Sequence, residues 1–341
     1  MPGAMAKAPG LAMKPMEPER VGIIGAGAMG TCLSAIMGGH LPTVVVCRNP
    51  RRAGVLFERG ARVNGLIEAA SRPIVVGRIA DLARVGPFST IFVATKTSAI
   101  PEVAGELGPL LASGSLGPEP PFVVSFQNGI EPGRQLMESM DYRRVLRMVL
   151  SFGARLDEAS GDAQALFFDP PDYIGGDPKY HEACRRLADL LTRAGLETRT
   201  DPDIELRVWS KAIVNAAMNP VAALVNSTVG EVMASPAARI VERLLEEGLT
   251  VAEAEGLDLG RDYLDRSRAF IARAGDHVPS MVQDIRSGRE SEVGQLNRQI
   301  MRHGKKLGVP TPTHEIIDAL IETFDWRVYR KLHSESPTDP A

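Results

Sequence analysis

The stretch RVGIIGAGAMG, residues 20–30, decides the fold. Its opening residues form an apolar, strand-like run. Gly25-Ala26-Gly27-Ala28-Met29-Gly30 then spells G-x-G-x-x-G at the start of the helix-forming AMGTCLSAIMGG. The order strand, glycine turn, helix is the context that gives this motif weight. Gly25 permits the tight turn, Gly27 lets the backbone come close to a pyrophosphate, and Gly30 lets helix and strand pack closely. The helix N-terminus offers free N–H groups to the anion. Cofactor contacts are therefore expected from Gly25, Ala26, Gly27, Ala28, Met29 and Gly30.

Further along the chain come TVVVCR, TIFVATK (90–96), FVVSFQNG (122–129) and RVLRMVL (144–150), separated by helical stretches. Apolar runs without alternation, spaced by helices, predict a parallel sheet covered on both faces. Residues 152–176 read as two or three short strands, antiparallel at the sheet edge, followed by a helix and a last strand, ETRT. Beyond Pro202 the chain reads as helical, with breaks near STVGEV, EGLDLGRD and AGDHVPS. The pattern predicts an α/β fold: an N-terminal doubly wound Rossmann-type domain over 20–201, followed by an all-helical C-terminal domain over 202–330. Residues 1–19 read as a flexible extension, with a weak transit peptide as the alternative, and 331–341 as a frayed tail.

The 341 residues suffice for two domains, and 44% hydrophobic with 24% charged is an ordinary globular balance. A net charge of −3 gives no reason to expect nucleic acid or an acidic membrane as a partner. Three cysteines, odd in number and without metal-ligand spacing, point to a reduced, cytoplasmic compartment. The six scattered histidines suggest no metal site. No run of about 18 apolar residues stands out, so no membrane-spanning helix is expected.

An Asp or Glu after the second strand would bind the ribose 2′-hydroxyl of NAD, whereas Arg accommodates the 2′-phosphate of NADP. That place reads Cys47-Arg48-Asn49-Pro50-Arg51-Arg52, with no acid, which favours NADP(H) with Arg48 as its contact. Ligands of open α/β sheets bind beyond the carboxyl ends of the strands. Lys96 and Asn128-Gly129 end two strands there; a solvated lysine and an Asn-Gly turn are the bland alternatives.

SKAIVNAAMNP, 210–220, sets Lys211, Asn215 and Asn219 on one face of an otherwise apolar helix. Reducing a ketone creates an alkoxide that needs a positioned proton donor, and a partly buried lysine with a neighbouring charge can supply it. The ladder then faces a wet cleft between the domains. Otherwise it cross-links helices.

With GxGxxG, a strand ending in Lys96, an NG pair, WSKAIVNAAMNPVAALVN and PSMVQDIRSGRESEVGQLNRQIMRHGKKLGVPTP, the chain resembles the ketopantoate reductase (2-dehydropantoate 2-reductase) family over about residues 20 to 322. The resemblance implies NADPH-dependent reduction of a small 2-oxo acid, with Lys211 as general acid. It places Asn215, Asn219, Asn226 and Ser280 around the substrate, and Lys96, Asn128 and Ala154 on the cofactor. Glu292 would sit near Lys211 and the nicotinamide ribose.

Two places depart from the family pattern. His277 stands where an asparagine is expected, which makes it a further substrate-pocket candidate. Phe167-Phe168-Asp169-Pro170-Pro171 replaces a glycine-rich strand with a histidine. These changes leave ketopantoate as the leading substrate and another 2-oxo or β-hydroxy acid as the alternative. A non-catalytic NADPH-binding regulator is the third reading, and the presence of Lys211 argues against it. The amphipathic C-terminal helices can serve a homodimer or complete a monomer's own core.

Overall fold

The structure is a computed structural model, and it describes residues 20–157 and 159–334. The expected extension over 1–19 lies outside the described residues, as do 335–341 of the expected tail. The last helix continues to Ser334, past the end anticipated at 330.

Strand β1 (Val21–Ile24) leads through the glycine turn into α1 (Ala28–Met37), then β2 (Thr43–Val46) and α2 (Pro50–Arg59). Three short strands follow: β3 (Ala61–Gly65), β4 (Ala69–Ser71) and β5 (Ile74–Val76). Next come β6 (Thr90–Val93), α3 (Ile100–Ala112), β7 (Phe122–Ser125), α4 (Pro132–Met140) and β8 (Val145–Val149). β9 (Phe152–Leu156), β10 (Ala163–Phe168), β11 (Asp172–Gly175), α5 (His181–Arg193) and β12 (Thr198–Thr200) complete the strands.

The main sheet has eight strands in the order β12-β11-β8-β7-β6-β1-β2-β5. From β5 to β8 all neighbours are parallel; β11 alone runs antiparallel to its neighbour β8. β1, β2 and β6 are buried along their whole length, which is why they are apolar on both faces. From β1 the chain builds outward to β2 and β5, then returns to lay β6 on the other side of β1. The carboxyl ends of β1 and β6 therefore flank a topological switch point, where such sheets bind ligands.

The expectation of edge strands over 152–176 is corrected in part. Only β11 joins the main sheet. β9 and β10 combine with β3 and β4 in a second sheet of four strands, β4-β3-β10-β9. The reason lies in α1, whose residues from Gly30 to Met37 are all buried. A helix apolar on every side needs cover on every side. The main sheet supplies one face and the small sheet, packed on α1 through β3, β9 and β10, supplies the other.

After β12 the structure is helical: α6 (Ile204–Val225), α7 (Val229–Met233), α8 (Ala238–Ala254), α9 (Tyr263–Arg273), α10 (Ser280–Arg286), α11 (Asn297–Leu307) and α12 (Pro312–Ser334). α6 is the axis of this part, packed against α8, α10, α11 and α12. Trp209, Ile213, Ala216, Ala217 and Val221 of α6 are in its core. The sequence expectation about membrane spans also needs correction, because α6 is 22 residues long and apolar enough to cross a bilayer by composition alone. Most of it is buried against protein, and that burial accounts for its apolarity without a membrane.

A β-carbon on Gly30 would meet the Gly25 carbonyl oxygen at 1.9 Å, so α1 could not keep its distance from β1. Gly30→Ala should destabilise the protein by about 1–3 kcal/mol, the usual cost of overpacking, and weaken dinucleotide binding at the same turn. Denaturant unfolding together with a cofactor titration checks both effects.

Candidate active site

The glycine turn is shaped for close approach of an anion. Gly25 has φ +109°, and a β-carbon there would lie 3.0 Å from the Ala94 carbonyl group, so only glycine fits comfortably beside the end of β6. At Gly27 a β-carbon would meet nothing within 4 Å, so the backbone faces open space. Gly27 caps α1 without a side-chain hydrogen bond, leaving the helix N-terminus to accept an outside anion. This donor set and the open space over Gly27 fit a dinucleotide pyrophosphate.

The end of β2 is more specialised than its sequence suggested. Asn49 caps α2 by accepting from Arg52 N at 3.1 Å. Arg52 turns inward and donates to Ala26 O at 3.1 Å and to Thr31 Oγ1 at 2.7 Å, bracing the glycine turn. Arg48 stays half-exposed and forms an ion pair with Glu102 from the first turn of α3. The segment 47–52 holds no acid, as its sequence reads, and an acid reaches Arg48 from another element.

Beyond β6, Lys96 Nζ lies 3.4 Å from Asp284 Oδ2, joining the sheet's carboxyl edge to α10. Beyond β7, Asn128 Nδ2 donates to Glu292 Oε2 at 3.1 Å, so the structure brings these two sequence candidates together. Glu290, two residues before Glu292, is exposed. Arg147 of β8 organises the Asn128 loop, and sequence reasoning missed it. It is 8% exposed and donates to Ser125 Oγ at 2.9 Å and to the carbonyls of Gln127 and Gly129, each at 2.7 Å. Those carbonyls flank residue 128, so the guanidinium fixes the turn that presents Asn128. Gly129 has φ +100°, and a β-carbon there would strike Gln295 O at 2.4 Å. The Asn-Gly pair is therefore both a turn and a close contact with the helical part.

Lys211 enters from the middle of α6. It is half-buried, and its Nζ donates to Leu150 O at 2.8 Å, just beyond β8. Burial pulls its pKa down to about 8; Asp172 and Glu292 push it back up, and Arg147 adds to the depression. Asp172 was not anticipated from sequence. It is 1% exposed, accepts from Ser151 N at 2.5 Å, and has its pKa pushed up to about 6 by burial, against Ser151 N–H and Lys211. An aspartate after Pro-Pro reads as a turn residue, so local pattern held no signal for it.

The other ladder positions behave differently from one another. Asn215 is half-buried and Asn219 is 9% exposed; among the described residues, no protein hydrogen bond engages either side-chain amide. Asn226 is the left-handed cap of α6, and its Oδ1 accepts from Arg286 Nε at 2.7 Å, so that oxygen is already occupied. Ser280 is exposed at the first position of α10. Ala154 lies in β9, partly buried against the core around α1. The two departures flagged in the sequence meet in space: the His277 and Phe167 rings are 5.6 Å apart, and Phe167 sits edge-on to Phe270 at 6.4 Å. Arg273 reaches Asp169 at 3.6 Å across the same junction.

The fold is shared with solved structures. A PanE/ApbA family ketopantoate reductase from Ralstonia eutropha JMP134 superposes with a TM-score of 0.79 at 21% identity, over 91% of this chain and 99% of that one. D-mandelate dehydrogenase, in a ternary structure with NADH and anilino(oxo)acetate, gives 0.78 at 21% identity over the same shares. In sequence, the chain is 28% identical over 298 residues to the 2-dehydropantoate 2-reductase of Archaeoglobus fulgidus, covering 86% of this chain and 94% of that protein. It is 27% identical over 308 residues to the 2-dehydropantoate 2-reductase of Streptococcus pyogenes serotype M6, covering 88% and 95%. Residues 21–166 match the family described as ketopantoate reductase PanE/ApbA, and 203–324 match its C-terminal counterpart. With both parts matched in order, the chain belongs to the ketopantoate reductase family of oxidoreductases.

Proposed function

We propose that this chain reduces 2-dehydropantoate to pantoate with NADPH, taking the proton from Lys211. The observation that carries this reading is the ammonium of Lys211, held at the carboxyl edge of the sheet with a pKa brought down to about 8. That value lies near physiological pH, where a general acid combines availability with driving force. When bound, the nicotinamide supplies hydride to the carbonyl carbon. Lys211 donates a proton to the carbonyl oxygen as negative charge develops there, and Asn215 and Asn219 offer free amides to orient the acid's polar groups. Glu292, oriented by Asn128, keeps a carboxylate facing the lysine.

NADPH is preferred to NADH on a comparison of magnitudes. The exposed Arg48–Glu102 pair, with each side chain about half accessible, is worth at most about 1 kcal/mol. Charge-assisted bonds from Arg to a 2′-phosphate are worth roughly 1.5–3 kcal/mol. The phosphate therefore displaces the glutamate. A second reading, reduction of a different 2-oxo acid, is favoured by the Phe167–His277–Phe270 cluster, which lines up the two departures from the family pattern on one wall.

Three outcomes are expected. Lys211→Ala should lower kcat by roughly 10²–10⁴, the worth of a general acid, while NADPH still quenches protein fluorescence at similar concentrations. Retained turnover would remove Lys211 from the mechanism. kcat/KM for reduction should be flat on the acid side and fall as pH rises through about 8, because the donor must be protonated. Arg48→Ala should raise KM for NADPH at least about twofold, the lower end of the bond energies above less the displaced ion pair, and leave KM for NADH nearly unchanged. The substrate is decided by following NADPH absorbance with 2-dehydropantoate beside a panel of 2-oxo acids. Faster turnover of a bulkier acid, lost in Phe167→Ala, would transfer the assignment to the second reading.

A further inference from the structure

The peptide unit joining Leu150 to Ser151 is held at both ends by side chains that carry charge. Its carbonyl accepts from Lys211 Nζ at 2.8 Å, and its N–H donates to Asp172 Oδ1 at 2.5 Å. The segment is pinned besides, because Ser151 Oγ donates to Pro171 O at 2.8 Å and Asp169 N donates to Ser151 O at 2.8 Å. Asp172 is buried at the start of β11, and its second oxygen, Oδ2, has no partner among the described residues. A buried carboxylate left half-satisfied is costly for the fold.

We infer that Asp172 is a positioning residue for the reduction: through the Leu150–Ser151 peptide it fixes the Lys211 ammonium at the sheet edge and holds it in its charged form. The inference rests on Lys211 being the proton donor. A carboxylate on the N–H end of a peptide makes the carbonyl at the other end a stronger acceptor, since hydrogen bonds in a chain polarise one another. The cation and the anion thus interact through a group that neither can leave without breaking a buried bond.

The charges around Lys211 decide the direction of the effect. Burial works against its protonated form; Asp172 from β11 and Glu292 from the turn after α10 favour that form, and Arg147 from β8 opposes it. Glu205, on α6 itself, acts on Arg147. Asp172 precedes Glu292 in size, and Glu292 is shared with Asn128. Removing the Asp172 charge leaves burial and Arg147 opposed by Glu292 alone, so Lys211 must lose its proton at lower pH.

Asp172→Asn isolates the charge, because the amide oxygen can still accept from Ser151 N. In the full-length enzyme, the alkaline limb of kcat/KM should move to lower pH by about one unit, a tenfold loss on that limb. Near pH 6 the rate should approach that of the unaltered enzyme, and KM for NADPH should stay constant. Asp172→Ser, a smaller side chain that keeps an acceptor, should show the same displacement and carries the test should the amide variant fail to fold. A loss by the same factor at every pH in both variants, with the reactivity of Lys211 also unmoved, would overturn the inference and leave Asp172 a structural residue. The pH dependence of Lys211 trinitrophenylation, followed by peptide mass spectrometry, reads the same titration without turnover. If Lys211 reactivity moves with Asp172→Asn but the kinetic limb does not, Asp172 positions the lysine and Lys211 is not the donor. If neither moves, the inference itself fails.

Discussion

An ammonium on a buried helix must be given acceptors or it destabilises the fold by several kcal/mol, and the contact between sheet and helices is arranged around that requirement at Lys211. α6 is apolar because it is the axis of the helical core, so its lysine can reach water or partners only along the single face that meets the sheet. The carboxyl edge of the sheet supplies them, with a backbone carbonyl at Leu150 and carboxylates at Asp172 and Glu292. The same edge of the sheet carries the glycine turn, Lys96 and Asn128. Burial of one cation therefore aligns the helical part with the place where an open α/β sheet binds its ligand.

That alignment is reinforced by contacts with little tolerance. Gln299 Oε1 accepts from Ile130 N at 2.6 Å and Glu131 N at 3.1 Å, fixing α11 to the segment just after Gly129. Gly129 lets this segment lie against Gln295, and Arg147 holds the loop between by its carbonyls. Arg147 is a cation near Lys211, and it works against the lysine's charge. Its three hydrogen bonds explain why it is nevertheless present: without the guanidinium, two buried carbonyls would lack a donor. The two carboxylates then restore what Arg147 takes away, so loop architecture and lysine charge are balanced by separate groups.

The parts of the fold legible in the sequence are those set by local period. β1, β2, β6 and β7 are largely buried on both faces and so read as mostly apolar runs, and β8 does so apart from Arg147. The second sheet was not legible. Its strands run from three to six residues and are partly exposed, and β3 finds β10 a hundred positions away, where no local pattern can announce the pairing. The need for such a sheet was nevertheless implicit in α1, whose apolar residues leave no face for water. Likewise the length and apolarity of α6 carried two meanings, membrane or core, that only its packing separates.

In the site, residues with a motif around them could be singled out from sequence and residues defined by distant partners could not. Lys211, Asn128 and the glycines stand in recognisable contexts. Asp172 gains its meaning from a peptide twenty-one positions earlier, Arg147 from carbonyls in the loop after β7, and Glu102 from an arginine on a different element. The departures at His277 and Phe167–Pro171 were visible singly, but their contact was not, because one belongs to the small sheet and the other to the end of the helix pair beyond α6. Their meeting separates two tasks physically. Lys211 is held between the sheet edge and α6, on charges linked through backbone. The wall formed by Phe167, Phe270 and His277 is built from side chains that make no hydrogen bond to those charges among the described residues. A substitution within that cluster leaves the bonds around Lys211 in place, so the two groups of side chains can change independently.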